Sequence, residues 1–477
     1  MTIADTRRKW LALIVLCMGD LLIVLDVSIV NVALPSIRED LGFSEASLAW
    51  VINAYTLTFG GFMLLAGRLG DLYGHRRVFL LGVGLFTAAS LACGLATSSE
   101  ILVGARAVQG IGGAIVAAVA LSLIMTLFTE PAERAKAMGV IGFVAAGGGS
   151  IGVLAGGVLT DLLNWHWIFL VNLPIGIGVI GFCLVLLPGG SGERSESRLD
   201  LGGAILVTAS LMLAVYAIVN GNEQGWTSGR TLGLLGAAVV GLASFLVLES
   251  RVDAPLMPLG LFKLRSVATS NIVGILWSAA MFAMFFLSAL YLQLVLGYTP
   301  LEVGLSFLPA NLIMGAFSLG LSAKIVMRFG TRWPLVLGMA LVALGLGLFA
   351  RAPVDASFTA DVLPSMVILG IGIGMAMNPL LLAAMSDVRQ EDAGLASGVV
   401  NTSFMMGGAL GLAVLASVAA ARTGDSTSAA ALTDGYHAAF VVGTFFAVAA
   451  GAVAAIFMRG GAPARVPESQ DAMAGAH

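Results

Sequence analysis

The chain has 477 residues, 58% of them hydrophobic and 11% charged, with a net charge of −3, whereas an average soluble domain carries about 25% charged residues. This composition excludes an ordinary water-soluble domain, and the absence of a basic excess argues against a nucleic-acid partner. Cys17, Cys93 and Cys183 stand singly in different apolar runs, so neither a disulfide framework nor a metal site is expected, and no cofactor is implied.

A transmembrane helix needs about 20 mostly apolar residues. Such runs lie near 10–31, 46–66, 77–97, 101–125, 136–159, 166–187, 201–220, 231–249, 267–296, 303–323, 333–350, 362–385, 394–420 and 437–458, giving an expectation of fourteen helices in an all-α integral membrane protein. The first run follows Arg7, Arg8 and Lys9 but holds two acids and has no small-residue cleavage site, so it reads as helix 1 rather than a secretory signal. If the N-terminus is cytoplasmic, nineteen of the twenty-four lysines and arginines fall in inside segments, and only Arg38, Arg230, Arg351 and Arg422 fall outside. By the positive-inside rule both termini are expected in the cytoplasm.

Helix 1 raises the first chemical question, because GDLLIVLDVSIVNVALP carries Asp20 and Asp26 in a run without basic residues. Six residues apart on a helix, they differ by roughly 9 Å in height and about 120° around the axis, so they cannot point the same way. Burial raises a carboxyl pKa and a nearby arginine lowers it; a proton-coupling acid needs that competition. Either acid is a candidate, and for Asp26 a local backbone cap near Asn31 and Pro35 is the architectural alternative.

After helix 2 comes GRLGDLYGHRR, in which Gly67 and Gly74 permit a tight turn and Asp71 can sit at the positive end of a neighbouring helix. Arg76 and Arg77 would then pair with acids of the other half and latch one face closed. In helix 4, ARAVQGIGG places Arg106 inside an apolar run, where a charge costs roughly 2.5 to 3.5 kcal/mol on insertion scales. Gln109, Gly110 and Gly113 share its stripe at i+3, i+4 and i+7. An acceptor beside the guanidinium and a glycine surface for another helix are thus expected. The acids of helix 1 are the obvious partners, with the charges satisfying one another across a cavity between bundles. In helix 5, GGGSIGVLAGG has no preceding strand and is no dinucleotide loop; Gly148, Gly152, Gly156 and the adjoining Gly157 read as a close-packing surface.

The polar stretch 188–200 follows six spans, and a second, 249–266, precedes the last six. The expected organisation is a six-helix bundle over 1–188, a linker with two extra spans over 189–265, a second six-helix bundle over 266–459, and a disordered cytoplasmic tail over 460–477. An internal repeat supports two related halves: AKIVMRFGTRW echoes GRLGDLYGHRR, with Gly330 matching Gly74 and Arg332 matching Arg76 at one offset of 256, although Met327 stands where Asp71 would be. Polar or aromatic residues within spans that could line a cavity between the halves are Asn31, Asn53, Tyr55, Gln109, Trp277, Tyr291, Gln293, Asn311, Asn378 and Asn401. The last six helices hold no acid at mid-span depth, so recognition of cargo charge falls on the first half.

At these residues the chain resembles the fourteen-helix drug:proton antiporter branch of the major facilitator superfamily, from helix 1 to helix 14. LDVSIVNVALP is similar to that branch's helix 1 signature, GRLGDLYGHRR to the superfamily's loop motif, ARAVQGIGG to the helix 4 motif with its buried arginine, GGGSIGVLAGG to the helix 5 antiporter motif, and WHWIFLVNLPIG to the start of helix 6. The signature supplies an acid at Asp26; Asp20 lies outside it. Antiporters of this branch usually have proline after the second glycine of the helix 5 motif, where Val153 stands, which puts in doubt the usual bend of that helix. The resemblance implies two pseudo-symmetric bundles in a 6+2+6 layout that rock around a midplane cavity, exchanging inbound protons for outbound amphipathic or cationic drugs. A symporter or facilitator for a metabolite, or a non-transporting sensor on the same scaffold, is the alternative. Lys9, Lys136, Lys263 and Lys324 lack a phosphate-loop context, and the four histidines are scattered at loops and ends, so neither an ATP-driven pump nor an enzyme is expected. Arginine outnumbers lysine 20 to 4, a bias of GC-rich bacterial genomes that points to a bacterial inner membrane. The expected partners are a small-molecule substrate, protons and the bilayer, with the protein a monomer.

Overall fold

In a computed structural model, described over residues 3–44, 46–128, 130–187, 200–252, 255–388, 393–424 and 426–458, the described residues form helices and short connections and contain no strand. The first six helices are α1 (Ile3–Leu41), α2 (Trp50–Tyr73), α3 (His75–Gly94), α4 (Ser99–Leu127), α5 (Pro131–Leu162) and α6 (Trp167–Leu186). Two more follow, α7 (Leu201–Gln224) and α8 (Gly229–Glu249). The remainder are α9 (Arg265–Val295), α10 (Pro300–Ala316), α11 (Ser322–Phe329), α12 (Arg332–Phe349), α13 (Phe358–Met385), α14 (Ala393–Thr423) and α15 (Ala429–Phe457). Twelve of these are long and apolar enough to cross a membrane, which makes this a multi-pass membrane protein. The spans expected near 136–159 and 303–323 fall on α5 and on the shorter α10. The tail expected over 460–477 and most of the 188–200 linker lie outside the described residues.

Local chemistry sets the helix starts. Ser98, Ser228 and Ser428 accept from the backbone N–H three residues on, and Thr299 forms a capping box with Glu302, satisfying donors that a helix N-terminus leaves open. α1 runs about a turn and a half beyond Pro35 instead of ending near residue 31, and Arg38 lies in its last turn, where a cation suits the helix dipole. α10 carries an internal Pro309 and passes through a π-helical turn, Phe317–Leu321, whose Gly320 has φ of 124°, into α11. That break divides what would be one span.

The packing repeats itself. Within the first six helices, α2 and α3 pack on α4, α1 on α5, and α3 on α6; within the last set, α10 and α12 pack on α13, α9 on α14, and α12 on α15. The two sets meet reciprocally, the second helix of one on the fifth of the other: α2 on α14 and α5 on α10. Without a hydrophobic drive between helices in lipid, such seams rely on small residues. A Cβ at Gly157 would lie 2.7 Å from the Pro300 carbonyl oxygen, and one at Gly304 would lie 2.9 Å from that of Val153. α7 lies across the other seam against both α2 and α14, and α8 packs on α7.

Candidate functional site

Arg106 lies two turns into α4 and is 1% exposed. Its Nη1 donates to Asp26 Oδ2 in an ion pair and to Gln109 Oε1 at 2.7 Å, while Nε donates to the Val51 carbonyl at 2.9 Å. The Tyr55 ring centroid is 4.4 Å from the guanidinium carbon, a cation–π distance. The Asp26 carboxylate is fully buried and also accepts from Gln109 Nε2 at 2.7 Å and Asn172 Nδ2 at 3.1 Å. Ser90 Oγ accepts from the same Gln109 nitrogen at 2.7 Å. α1, α2, α3, α4 and α6 thus contribute to one closed network in which each member of the ion pair has several partners. A buried charge in an apolar setting is tolerable only on those terms.

The stripe below Arg106 behaves as its spacing suggests: a Cβ at Gly110 would fall 2.3 Å from the Tyr55 carbonyl oxygen and one at Gly113 2.7 Å from Tyr55 Oη, so α2 rides directly on α4. The expected charge balance across a cavity between bundles is corrected: Asp26 and Arg106 touch inside the first bundle. The local-cap alternative for Asp26 also fails, since its oxygens face α4 and α6, and Asn31 Nδ2 donates to the Val27 carbonyl at 2.9 Å instead. Asp20 is a different case. It is partly exposed, and among the described residues it has no hydrogen bond or ion pair.

In the loop after α2, Gly74 has φ of 90°, a conformation suited to glycine, and Gly330 repeats it with φ of 74°. The expected pairing of Arg76 with acids of the other half is corrected: its Nη2 donates to the Leu184 carbonyl near the end of α6, at 2.6 Å. Arg332, its counterpart, donates in the same way to the Ala455 carbonyl near the end of α15. Each arginine therefore ties the third helix of its bundle to the last carbonyls of the sixth, which a helix end leaves without intrahelical donors. Arg77 is exposed, Gly67 has open space around it, and the Asp71 side chain lies outside the described residues.

α5 is an unbroken helix through Val153. Its glycines carry α1: a Cβ would lie 3.0 Å from Leu21 Cδ1 at Gly148, 2.8 Å from Ser28 Cβ at Gly152 and 2.7 Å from the Ile29 carbonyl oxygen at Gly156. Of the other cavity candidates, Gln293 Nε2 donates to the Val32 carbonyl at 2.8 Å, joining α9 to α1 across the bundles. Tyr291 Oη donates to the Pro353 carbonyl at 2.6 Å, a bond within the second bundle. Asn53, Trp277 and Asn311 are buried, and both side-chain polar atoms of Asn53, Trp277 Nε1, Asn311 Nδ2 and Tyr55 Oη lack hydrogen-bond partners among the described residues. The Trp277 ring lies 5.6 Å from Phe404 on α14. Asn378 and Asn401 are half-buried on α13 and α14. Sequence reasoning missed Ser90, Asn172 and the Val51 carbonyl. Asn172 sat in the helix 6 motif, but nothing along the chain aimed it at Asp26.

The Major Facilitator Superfamily model matches residues 16–412. A puromycin resistance protein of Streptomyces alboniger is 40% identical over 448 residues, covering 92% of this chain and 89% of that protein. A cephamycin export protein of Amycolatopsis lactamdurans is 40% identical over 440 residues, with 92% and 90% covered, and a lincomycin resistance protein of Streptomyces lincolnensis is 38% identical over 422 residues, with 87% and 85% covered. The solved structure of the nucleoside transporter NupG superposes with a TM-score of 0.68 over 95% of this chain and 100% of that one, at 12% identity, a likeness of fold. Repeated packing, motifs and relatives agree, and the chain belongs to the Major Facilitator Superfamily, as a transporter rather than an enzyme.

Proposed function

We propose that this transporter is a proton-coupled antiporter that exports amphipathic or cationic drugs, antibiotics among them, across a bacterial inner membrane. The observation that carries the proton step is the contrast on α1: Asp26 is held by Arg106, Gln109 and Asn172, whereas Asp20 has no partner among the described residues. A saturated carboxylate is a poor proton carrier, because protonation would forfeit its ion pair. A carboxylate without such a partner takes up and releases a proton as its surroundings change. Asp26 and Arg106 then serve to hold α1, α4 and α6 in register beside it.

The relatives' names, which concern puromycin, cephamycin and lincomycin, support antibiotics as the cargo class. The two reciprocal seams support alternating access by rocking of two six-helix bundles, in the 6+2+6 layout with fourteen spans and both termini cytoplasmic. In this reading the Gln293–Val32 bond and the Gly157–Pro300 contact close the end remote from the termini. Polar atoms of Asn53, Tyr55, Trp277 and Asn311 that are unpaired among the described residues offer hydrogen bonds to cargo, with the protein working as a monomer. Dye transport by the purified protein in proteoliposomes under an imposed pH gradient tests the reading. Transport that follows the gradient supports it, and transport indifferent to the gradient overturns it.

A further inference from the structure

A cavity lies away from the charge cluster, in the cleft between α8 and α9. Its volume is about 440 Å³, within the range of roughly 300–1,000 Å³ usual for small-molecule pockets. α2, α7 and α14 form its floor, through residues such as Gly61, Leu211 and Met406, and the segment before α9 closes one end with Leu256, Met257 and Phe262. α8 packs on α7, and the cleft opens sideways at Leu246, Ile272 and Ile275, which are 46%, 50% and 39% exposed. On a membrane-spanning helix that opening faces lipid. Among the described residues, none that lines the cavity is charged.

Into this apolar space α9 brings Asn271, 3% exposed. Its Nδ2 donates to the Val267 carbonyl at 2.8 Å, which fixes the amide orientation, and its Oδ1 has no hydrogen-bond partner among the described residues. A buried acceptor left unmet is costly, and water reaching it would have to sit in a lining that is apolar apart from Asn271 itself, Ser403 and Thr402, whose hydroxyl already donates to the Gly60 carbonyl. A lipid acyl chain fills the space but offers no donor. A charged molecule would find no counter-charge.

We propose that this cleft is a binding site, opened from the bilayer, for uncharged amphipathic molecules that carry a hydrogen-bond donor for Asn271 Oδ1 at one end of an apolar body. The two additional helices then have a physical role: α7 floors the site and α8 walls it. Use of the site as a waiting place for cargo rests on the export reading; the binding itself does not.

The test is photolabelling in phosphatidylcholine nanodiscs with a trifluoromethyl-phenyldiazirine benzyl alcohol and, separately, its methyl ether, which lacks the donor. Adducts are mapped by mass spectrometry on 242–246 and 272–275, and on the lipid-facing part of α6 as background. The alcohol is expected to label the cleft roughly threefold to tenfold more than the ether, the worth of one hydrogen bond. Asn271→Leu should bring the alcohol down to the ether's level, and Leu246→Trp, a change at an exposed position, should reduce labelling by narrowing the mouth without disturbing the buried amide. Equal labelling by the two probes, unaffected by Asn271→Leu, would make the cleft an acyl-chain groove and overturn the proposal. Labelling no higher than on α6 would overturn it too. These results decide the matter whether or not the protein transports a dye, so a failure of export and a failure of this site are told apart.

Discussion

Asp26→Asn preserves the shape of the side chain and removes only its charge and one acceptor. The asparagine oxygen still accepts from Gln109 and Asn172, but an NH₂ replaces the oxygen that faced Arg106 Nη1, setting donor against donor. The guanidinium, 1% exposed, keeps Gln109 Oε1, the Val51 carbonyl and the Tyr55 face, and none of these carries a negative charge. Removing one partner of a buried ion pair costs about 3–5 kcal/mol. At about 2–4 °C per kcal/mol for a unit of 150–250 residues, that lowers Tm by roughly 6–20 °C. Arg106→Met should cost a similar amount from the other side, and the double variant should cost less than the sum of the two, because no uncompensated charge remains. Cys17, Cys93 and Cys183 are free and buried, so a thiol-reactive fluorophore reports unfolding without added labels. An Asp26→Asn protein melting within 2 °C of wild type, or single costs that add in the double variant, would refute the claim that this pair is an internal brace.

Two further predictions follow from packing and from unmet donors. Gly147 has open space around it whereas Gly156 abuts the Ile29 carbonyl, so in Tm measurements Gly147→Ala should stabilise by up to about 1 kcal/mol. Gly156→Ala should destabilise by about 1–3 kcal/mol as α1 and α5 are forced apart, and equal effects would contradict the close-packing reading of α5. Trp277→Phe removes an Nε1 donor that bonds to nothing among the described residues; Tm should hold while KM for an acceptor-bearing dye rises roughly twofold to tenfold, and an unchanged KM would take Trp277 out of the cargo site.

Much of this was legible along the chain because membrane helices write strong signals. Apolar runs and the glycine–arginine repeat at Gly74 and Gly330 are local patterns, and a lone Arg106 in an apolar span demands an acid, which helix 1 supplied. Other features depended on geometry that no run of residues displays. That Arg106 reached Asp26 rather than Asp20 turned on helix rotation and on Ser90 and Asn172 arriving from α3 and α6. The target of Arg76 is not legible because the sequence advertises charged partners, whereas the acceptors nearby are carbonyls at a helix end. The cleft at Asn271 was invisible because its walls come from five helices and the segment before α9, and none of its apolar residues is unusual in a membrane span.

The most direct test of the account is dye transport by wild type and Asp20→Asn in proteoliposomes, with the pH gradient imposed in either direction and then collapsed by a protonophore. Wild-type transport should reverse with the gradient and cease on its collapse. Asp20→Asn should fold with a Tm near wild type, bind and exchange dye across the membrane, and fail to concentrate it. Gradient-driven accumulation that survives in Asp20→Asn would contradict the assignment of the proton to this acid, and transport that ignores the gradient in the wild type would contradict proton exchange itself.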